Sequence, residues 1–178
     1  SLILQTKPGY DVALALDTII PFKPSFIYLY HMYLLLVFLP FVVITQRVHF
    51  QRLWYTFFFN LLISSLIFIA VPVTISRPDI VGRTIAEQVV LATHQVDMPN
   101  NCFPSLHVSL VFLAAFFLLE RYRALGILAV GFACVISLST ILVKQHYVAD
   151  IVGGFIVAVF SYFSVQYYWR LKRRRRFL

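Results

Sequence analysis

Five stretches of roughly 16 to 23 residues contain almost no charged side chains, and this feature restricts the possible fold more than any other. A helix rises about 1.5 Å per residue, so about 20 apolar residues cross the hydrocarbon layer of a membrane. The five stretches are 26–45, 53–75, 104–119, 124–143 and 147–169. They are apolar around the whole helix axis, which favours helices over barrel strands. We predict an all-α fold, a polytopic membrane helix bundle of five transmembrane helices, or six if another precedes this sequence.

Composition agrees with a single membrane-embedded domain over 1–178. The chain is 61% hydrophobic and 12% charged, which excludes a water-soluble globule and a disordered chain. Residues 1–24 have no long apolar core, so we expect no secretory signal there. Within them, 8–19 has apolar residues spaced along one helical face and is predicted to be an amphipathic helix in the membrane interface. Residues 26–169 form the predicted bundle, and 170–178 form a basic tail.

The charges are distributed unequally between the two predicted membrane faces. Ten of the 15 Lys and Arg residues lie between spans one and two, between spans three and four, and after span five, with Glu120 as their only acidic neighbour. The positive-inside rule places this side in the cytoplasm. The basic tail is therefore expected to be cytoplasmic and to contact anionic lipid head groups. No soluble module accompanies it, so we expect no nucleic-acid partner.

Polar side chains from three distant segments are predicted to meet at the opposite, extracytoplasmic face. Ionisable residues cost about 2.5–3.5 kcal/mol at a span centre, so those kept in or beside spans are functional candidates. His146 and Asp150 share a helical face, where the carboxylate can hold the imidazole in one tautomer. The candidates are Arg77 after the second span, Ser105 and His107 at the start of the third, and Lys144, His146 and Asp150 before the fifth.

The start of the third span favours an anion site. Pro104 suits the first turn of a helix, and the unpaired N–H groups that follow it attract anions. With the cations Arg77 and Lys144 and two histidines nearby, this pattern predicts a phosphate site with a nucleophile and an acid. The span has 16 residues, about 24 Å against roughly 30 Å of hydrocarbon, so the site should be recessed.

Two features near this site have a predicted structural role. In the outer loop 76–103, Thr84 and Glu87 have capping-box spacing and predict a short helix. This helix is either a lid over the site or an inert interface helix. In the fifth span, Gly154 and Ala158 have the spacing that permits close helix packing.

The ordered motifs resemble those of the type 2 phosphatidic acid phosphatase superfamily of integral-membrane lipid phosphatases, which includes bacterial enzymes such as lipid A 1-phosphatase. The family patterns are K-x6-R-P, P-S-G-H and S-R-x5-H-x3-D. Here they correspond to Arg77-Pro78, to Pro104-Ser105-Leu106-His107, and to Ser139-Thr140 followed by His146 and Asp150. Ala70 and Thr140 stand where the family has a lysine and an arginine. Lys144 is the candidate replacement, a pattern similar to inositol phosphorylceramide and sphingomyelin synthases.

The resemblance implies metal-independent hydrolysis of a lipid phosphate with no cofactor. His146 would form a phosphohistidine while Asp150 orients it, and His107 would protonate the leaving oxygen and later activate water. Arg77, Lys144 and Ser105 would hold the phosphate oxygens. Implied substrates are lipid A 1-phosphate, phosphatidylglycerol phosphate and isoprenyl diphosphate, at the outer face of a bacterial inner membrane.

The sequence also allows two functions other than lipid phosphate hydrolysis. Lys144 motivates a lipid phosphotransferase that passes a phospho group to an alcohol. The pair His107 and His146 would also suit the two axial ligands of a haem in a small membrane protein, although Arg77 and Lys144 would then have no role.

Overall fold

The computed structural model of the protein describes residues 9–174, and within this range the regular structure is helical. The predicted outer cation Lys7, the first residue of the predicted helix 8–19 and residues 175–178 of the basic tail lie outside it. The helices are α1 (Ala15–Ile19), α2 (Ile27–His31), α3 (Tyr33–Val43), α4 (Arg47–Ala70), α5 (Ile85–Val96), α6 (Leu106–Arg121), α7 (Arg123–Leu142) and α8 (Val148–Arg174). A short 3-10 turn, Pro24–Phe26, leads into α2.

Four helical segments in the described range are long and apolar enough to cross a membrane. They are Pro24–Val43, which joins the 3-10 turn to α2 and α3, then α4, α7 and most of α8. This confirms the all-α membrane bundle. With 16 residues, α6 is shorter than these four, so the count of five spans stays a prediction.

The short helix α6 occupies the middle of the bundle. It packs against α3, α4, α7 and α8, and nine of its residues are buried. Its apolar side chains are therefore covered by protein rather than by lipid. A central helix that stops short at its outer end leaves its first turn, with His107, surrounded by the ends of longer helices.

Glycine allows the start of α6 to lie directly against α8. A Cβ atom built on Gly154 would lie 2.5 Å from the backbone oxygen of Ser105 and 3.1 Å from Cβ of Val108. Neither atom is at the flexible end of a side chain, so neither could move aside easily. Helix α8 can therefore lie this close to α6 only because residue 154 is a glycine. The predicted close packing at this position is confirmed. It lets the Ser105 amide donate to the carbonyl oxygen of Asp150 at 3.0 Å.

The opposite end of the bundle is tied by a polar cluster around Glu120. Arg52 of α4 donates to both carboxylate oxygens of Glu120 on α6, at 2.9 and 3.0 Å. From α8, Tyr162 and Gln166 donate to the same carboxylate at 2.9 and 3.1 Å. Three helices are thus joined at the end that the charge pattern assigns to the cytoplasm.

The N-terminal segment corrects one prediction. The expected helix over 8–19 is wrong in extent, because only Ala15–Ile19 is helical. Before it, the chain is extended: the amide of Tyr10 donates to Pro72, and the amide of Thr74 donates to Tyr10. Asp17 is buried and accepts from the first amide of α8, that of Val148, at 2.9 Å. These bonds to the bundle replace the turns that a longer helix would make.

The outer-loop helix is confirmed as α5. Its N-cap is Thr84, whose hydroxyl accepts from the amide of Glu87 at 3.2 Å, while the Glu87 carboxylate accepts from the amide of Thr84 at 3.2 Å. This is the reciprocal pair that the spacing of the two residues predicts.

Gly154→Ala tests the contact between α6 and α8. The new methyl group would push against a backbone oxygen, so we expect the free energy of unfolding to fall by about 1–3 kcal/mol. Gly131→Ala in α7 is the matched control, because a Cβ there meets nothing within 4 Å. We expect that variant to be neutral or up to about 1 kcal/mol more stable. Unfolding in mixed micelles measures both, and equal losses would contradict the contact.

Candidate active site

Two imidazole rings meet at the outer end of the bundle. His107 is the second residue of α6, and His146 lies in the loop between α7 and α8. Nδ1 of His107 is 3.2 Å from Nε2 of His146, which is a hydrogen-bond distance. His146 is 7% exposed, so the pair is largely shielded from solvent.

Asp150 holds His146 from behind. Its Oδ2 atom lies 3.4 Å from Nδ1 of His146 and accepts from the amide of Tyr147 at 2.8 Å. Asp150 is fully buried. The carboxylate can only accept, so the proton of His146 stays on Nδ1 and the Nε2 lone pair faces His107. The structure thus brings together the three residues predicted to be catalytic, while their chemical roles stay predictions.

A tyrosine and a second aspartate contact the far side of His107. The hydroxyl oxygen of Tyr30 in α2 lies 2.8 Å from Nε2 of His107. The same hydroxyl donates to Oδ2 of Asp97, directly after α5, at 2.7 Å. Sequence reasoning missed both residues. Nothing in the sequence separates Tyr30 from the nine other tyrosines, and Asp97 was visible only as an outer-loop acid.

Arg77 is fixed by oxygen atoms that carry no full charge. Its Nη1 donates to the backbone oxygen of His94 at 2.8 Å, and its Nη2 donates to Oε1 of Gln145 at 2.5 Å. Burial lowers the pKa of the Arg77 guanidinium, partly offset by Cys102, Asp97 and Tyr30, yet a guanidinium remains protonated in proteins. Gln145 is another contact that sequence reasoning missed, although it directly precedes His146.

Two nitrogen donors of residues that line the cleft have no partner in the part of the chain that the structure describes. Nε of Arg77 and Nε2 of Gln145 are both buried without a hydrogen bond to any described residue. A buried donor left unpaired costs about 1–3 kcal/mol, so such atoms need a ligand or another explanation.

These groups line a cleft of about 330 Å³. Its lining includes the polar side chains of Arg77, Asp97, His107, Gln145 and His146 and the apolar side chains of Phe68, Met98 and Leu106. A cleft with both kinds of lining can contact an anionic group and a hydrocarbon chain.

Helix α5 supports the cleft from its C-terminal end. His94 supplies the carbonyl oxygen that holds Arg77, and its Nε2 donates to the carbonyl of Val143 at 3.2 Å. Burial lowers the pKa of His94, and the charge of Arg77 lowers it further, so the ring is neutral at pH 7. Helix α5 thus supports Arg77 and Asp97, which argues against an inert helix, while its expected role as a lid stays a prediction.

Lys144 lies outside the cleft, contrary to the expectation that its ammonium faces a phosphate. Its Nζ donates to the backbone oxygens of Asp17 at 3.0 Å and Ile20 at 2.7 Å. A backbone φ of 56° at Lys144 accompanies this placement. The side chain therefore ties the N-terminal segment to the loop that carries His146.

Ser105 is also absent from the cleft lining. It is fully buried, and its hydroxyl accepts from the amide of Val108 at 3.3 Å as the N-cap of α6. It positions the first turn of α6 rather than facing a ligand directly.

Cys102 borders the cleft but is not a thiolate. Burial, together with the charge of Asp150, raises the pKa of its thiol to about 12. A protonated thiol is a poor nucleophile, which leaves the imidazoles as the nucleophilic groups in this cleft.

One family model matches the chain. It is described as the PAP2 superfamily and covers residues 52–175. The match includes Arg77, His107, His146 and Asp150 but not Tyr30. No curated protein and no solved structure gives a significant match.

Lys144→Met tests the tether to the N-terminal segment. It removes two charge-assisted hydrogen bonds, so we expect the free energy of unfolding to fall by about 1–3 kcal/mol. Lys23→Met is the control, since that side chain is exposed and should change stability by less than about 0.5 kcal/mol. The measurement is unfolding in mixed micelles. A Lys144→Met protein as stable as the control would argue against the tether.

Proposed function

Since the chain belongs to the PAP2 superfamily, which supports phosphatase-type hydrolysis of lipid phosphoesters, we propose that it is a metal-independent lipid phosphatase working through a phosphohistidine. Its substrate is a phosphate monoester or diphosphate on a membrane lipid. The observation that carries the proposal is the contact of 3.2 Å between His107 and His146, in a cleft whose lining includes Arg77 and Gln145, each with a buried nitrogen donor that has no partner within residues 9–174.

His146 is the nucleophile in this proposal. Asp150 keeps the ring proton on Nδ1, so the Nε2 lone pair is free to attack phosphorus. A P–N bond forms as the bond from phosphorus to the leaving oxygen breaks. The incoming phosphoryl group takes the place of the hydrogen bond between the two imidazoles.

His107 is the general acid and then the general base. Its Nδ1 faces the reacting nitrogen of His146 and can give a proton to the leaving oxygen. The neutral ring then accepts a proton from the water that attacks the phosphohistidine. His146 is released when the P–N bond breaks.

Arg77 and Gln145 bind the phosphate oxygens. Both side chains line the cleft, and each has a buried nitrogen, Nε of Arg77 and Nε2 of Gln145, without a partner among the described residues. The first amides of α6 add a partial positive charge. Charge on these oxygens is stabilised by donors already in place. Neither Lys144 nor the Ser105 hydroxyl contributes directly.

The substrate enters from the outer leaflet. The apolar side chains that line the cleft can contact the lipid end while the phosphate meets Arg77. Candidates are lipid A 1-phosphate, phosphatidylglycerol phosphate and isoprenyl diphosphate. The charge pattern supports an active face outside the cytoplasm of a bacterial inner membrane, with the C-terminus inside and its basic tail against anionic lipids.

The two other readings lose their support. Phosphotransfer was motivated by Lys144, whose ammonium binds backbone oxygens away from the cleft. Bis-histidine haem ligation would leave the Arg77 guanidinium, which lines the same cleft as the two rings, without a role.

His146→Ala tests the nucleophile. We expect release of inorganic phosphate from lipid phosphates in detergent to fall at least about 10³-fold, with or without a chelator, because no other group replaces the attacking nitrogen. His49→Ala is the control, since that histidine lies near Glu120 at the opposite end. A screen across the three lipid classes identifies the substrate, and full activity in His146→Ala would overturn the assignment.

Arg77→Gln tests phosphate binding. Loss of the cation should lower kcat/KM by about 10²–10³-fold, as for removal of a donor to a developing oxyanion. Lys144→Met, assayed below its unfolding temperature, should stay within about fivefold of the parent because its ammonium is outside the cleft. A larger loss of kcat/KM in Lys144→Met than in Arg77→Gln would indicate that Lys144 binds the phosphate instead.

A further inference from the structure

Tyr30 and Asp97 form a hydrogen-bonded pair behind His107 that the PAP2 match does not explain. Tyr30 precedes the matched residues, and its side chain is 1% exposed. Its hydroxyl oxygen is within 2.8 Å of Nε2 of His107 and 2.7 Å of Oδ2 of Asp97. The Asp97 carboxylate itself is 4.0 Å from the imidazole.

The direction of these hydrogen bonds follows from the number of protons. A tyrosine hydroxyl has one proton, and an ionised carboxylate can only accept. The Tyr30 proton therefore goes to Asp97, and the Tyr30 oxygen accepts from His107. This requires a proton on Nε2 of His107 and leaves Nδ1 as the nitrogen facing the cleft.

The same proton count applies to the whole series of hydrogen bonds that runs from Asp150 through His146, His107 and Tyr30 to Asp97. Its four contacts need four protons, while a neutral His146, a neutral His107 and Tyr30 supply three. With Nδ1–H on His146 and Nε2–H on His107, the two facing nitrogens would both hold lone pairs. A fourth proton between them removes this repulsion, and it is the proton that an acid on Nδ1 of His107 can deliver.

We propose that Tyr30 and Asp97 are positioning residues that hold His107 in its Nε2–H tautomer and so make Nδ1 its reacting nitrogen. The proposal rests on the proposed function. When the bond from phosphorus to the leaving oxygen breaks, the Nδ1 proton moves to that oxygen and Nε2 keeps its own. When water attacks, Nδ1 takes a proton from the water as the P–N bond breaks. Tyr30 and Asp97 gain and lose no proton.

The surroundings of His107 distinguish this pair from its other neighbours. The titratable or charged groups nearby are His31 and Tyr33, Arg77, and His146 with Asp150 behind it. On the Nε2 side, the negative charge comes from Asp97. Tyr33 packs its ring edge-on at 4.6 Å from the imidazole, and no hydrogen bond of its hydroxyl is found among the described residues.

The first test is the pH dependence of kcat in Tyr30→Phe and Asp97→Asn. We expect kcat to fall about 10- to 100-fold, KM to change less than about threefold, and the basic limb of the profile to move to lower pH. The limb moves because the protonated imidazole loses its hydrogen-bond acceptor in Tyr30→Phe and its negative neighbour in Asp97→Asn. Tyr33→Phe is the matched control and should keep the parent profile. A fall in kcat with an unmoved limb would mean a structural role and overturn the proposal.

The second test does not depend on activity. Long-range ¹H–¹⁵N NMR of histidine-labelled protein in micelles reads the tautomer of His107, and His146→Ala removes the shared proton from the measurement. We expect Nε2–H in that variant and a mixture of tautomers once Tyr30→Phe is added. A parent enzyme that releases no phosphate would defeat the proposed function alone, whereas an Nδ1–H tautomer in His146→Ala would overturn the role of the pair.

Discussion

The backbone contact between α6 and α8 determines where the two histidines lie. The Ser105 amide donates to the Asp150 carbonyl at 3.0 Å, and Gly154 leaves the room for this approach. His107 follows Ser105 by two residues, and His146 precedes Asp150 by four. A contact made by main-chain atoms thus brings two imidazoles from distant segments to 3.2 Å. Side-chain hydrogen bonds then orient the rings, but they could not meet without this packing.

The two ends of the bundle use arginine differently, and the difference supports an anion site at one of them. At one end, Arg52 is neutralised by both oxygens of Glu120. At the other, Arg77 is held by a backbone oxygen and an amide oxygen, which orient the guanidinium without cancelling its charge. Arg77 is half-buried, and Asp97 compensates its charge only in part, so binding of an anion beside it would lower the cost of that charge. A phosphate group supplies that compensation.

The sequence predicts features that depend on local spacing, and it misses those that depend on tertiary direction. Apolar stretches locate the helices. The four-residue step from His146 to Asp150 predicts their contact, but the predicted shared helical face is wrong because His146 lies in the loop before α8. Lys144 lies two residues from His146, yet its backbone conformation turns the ammonium towards Ile20. Gln145, its neighbour, reaches Arg77 instead. Adjacent polar residues in a loop point to opposite sides, and spacing alone does not tell which one faces the cleft.

The two carboxylates near the imidazoles, those of Asp150 and Asp97, are stabilised in their charged form in different ways. Asp150 is fully buried, and its Oδ2 is stabilised by the Tyr147 amide and the His146 ring, while its Oδ1 has no partner among the described residues. The side chain of Asp97 stays 42% exposed and reaches His107 through Tyr30. A tyrosine has an apolar ring for the bundle and a hydroxyl for the polar contact, so it transmits the influence of a hydrated carboxylate to a buried ring. This avoids burying a second ionised carboxylate, which would cost several kcal/mol unless fully paired.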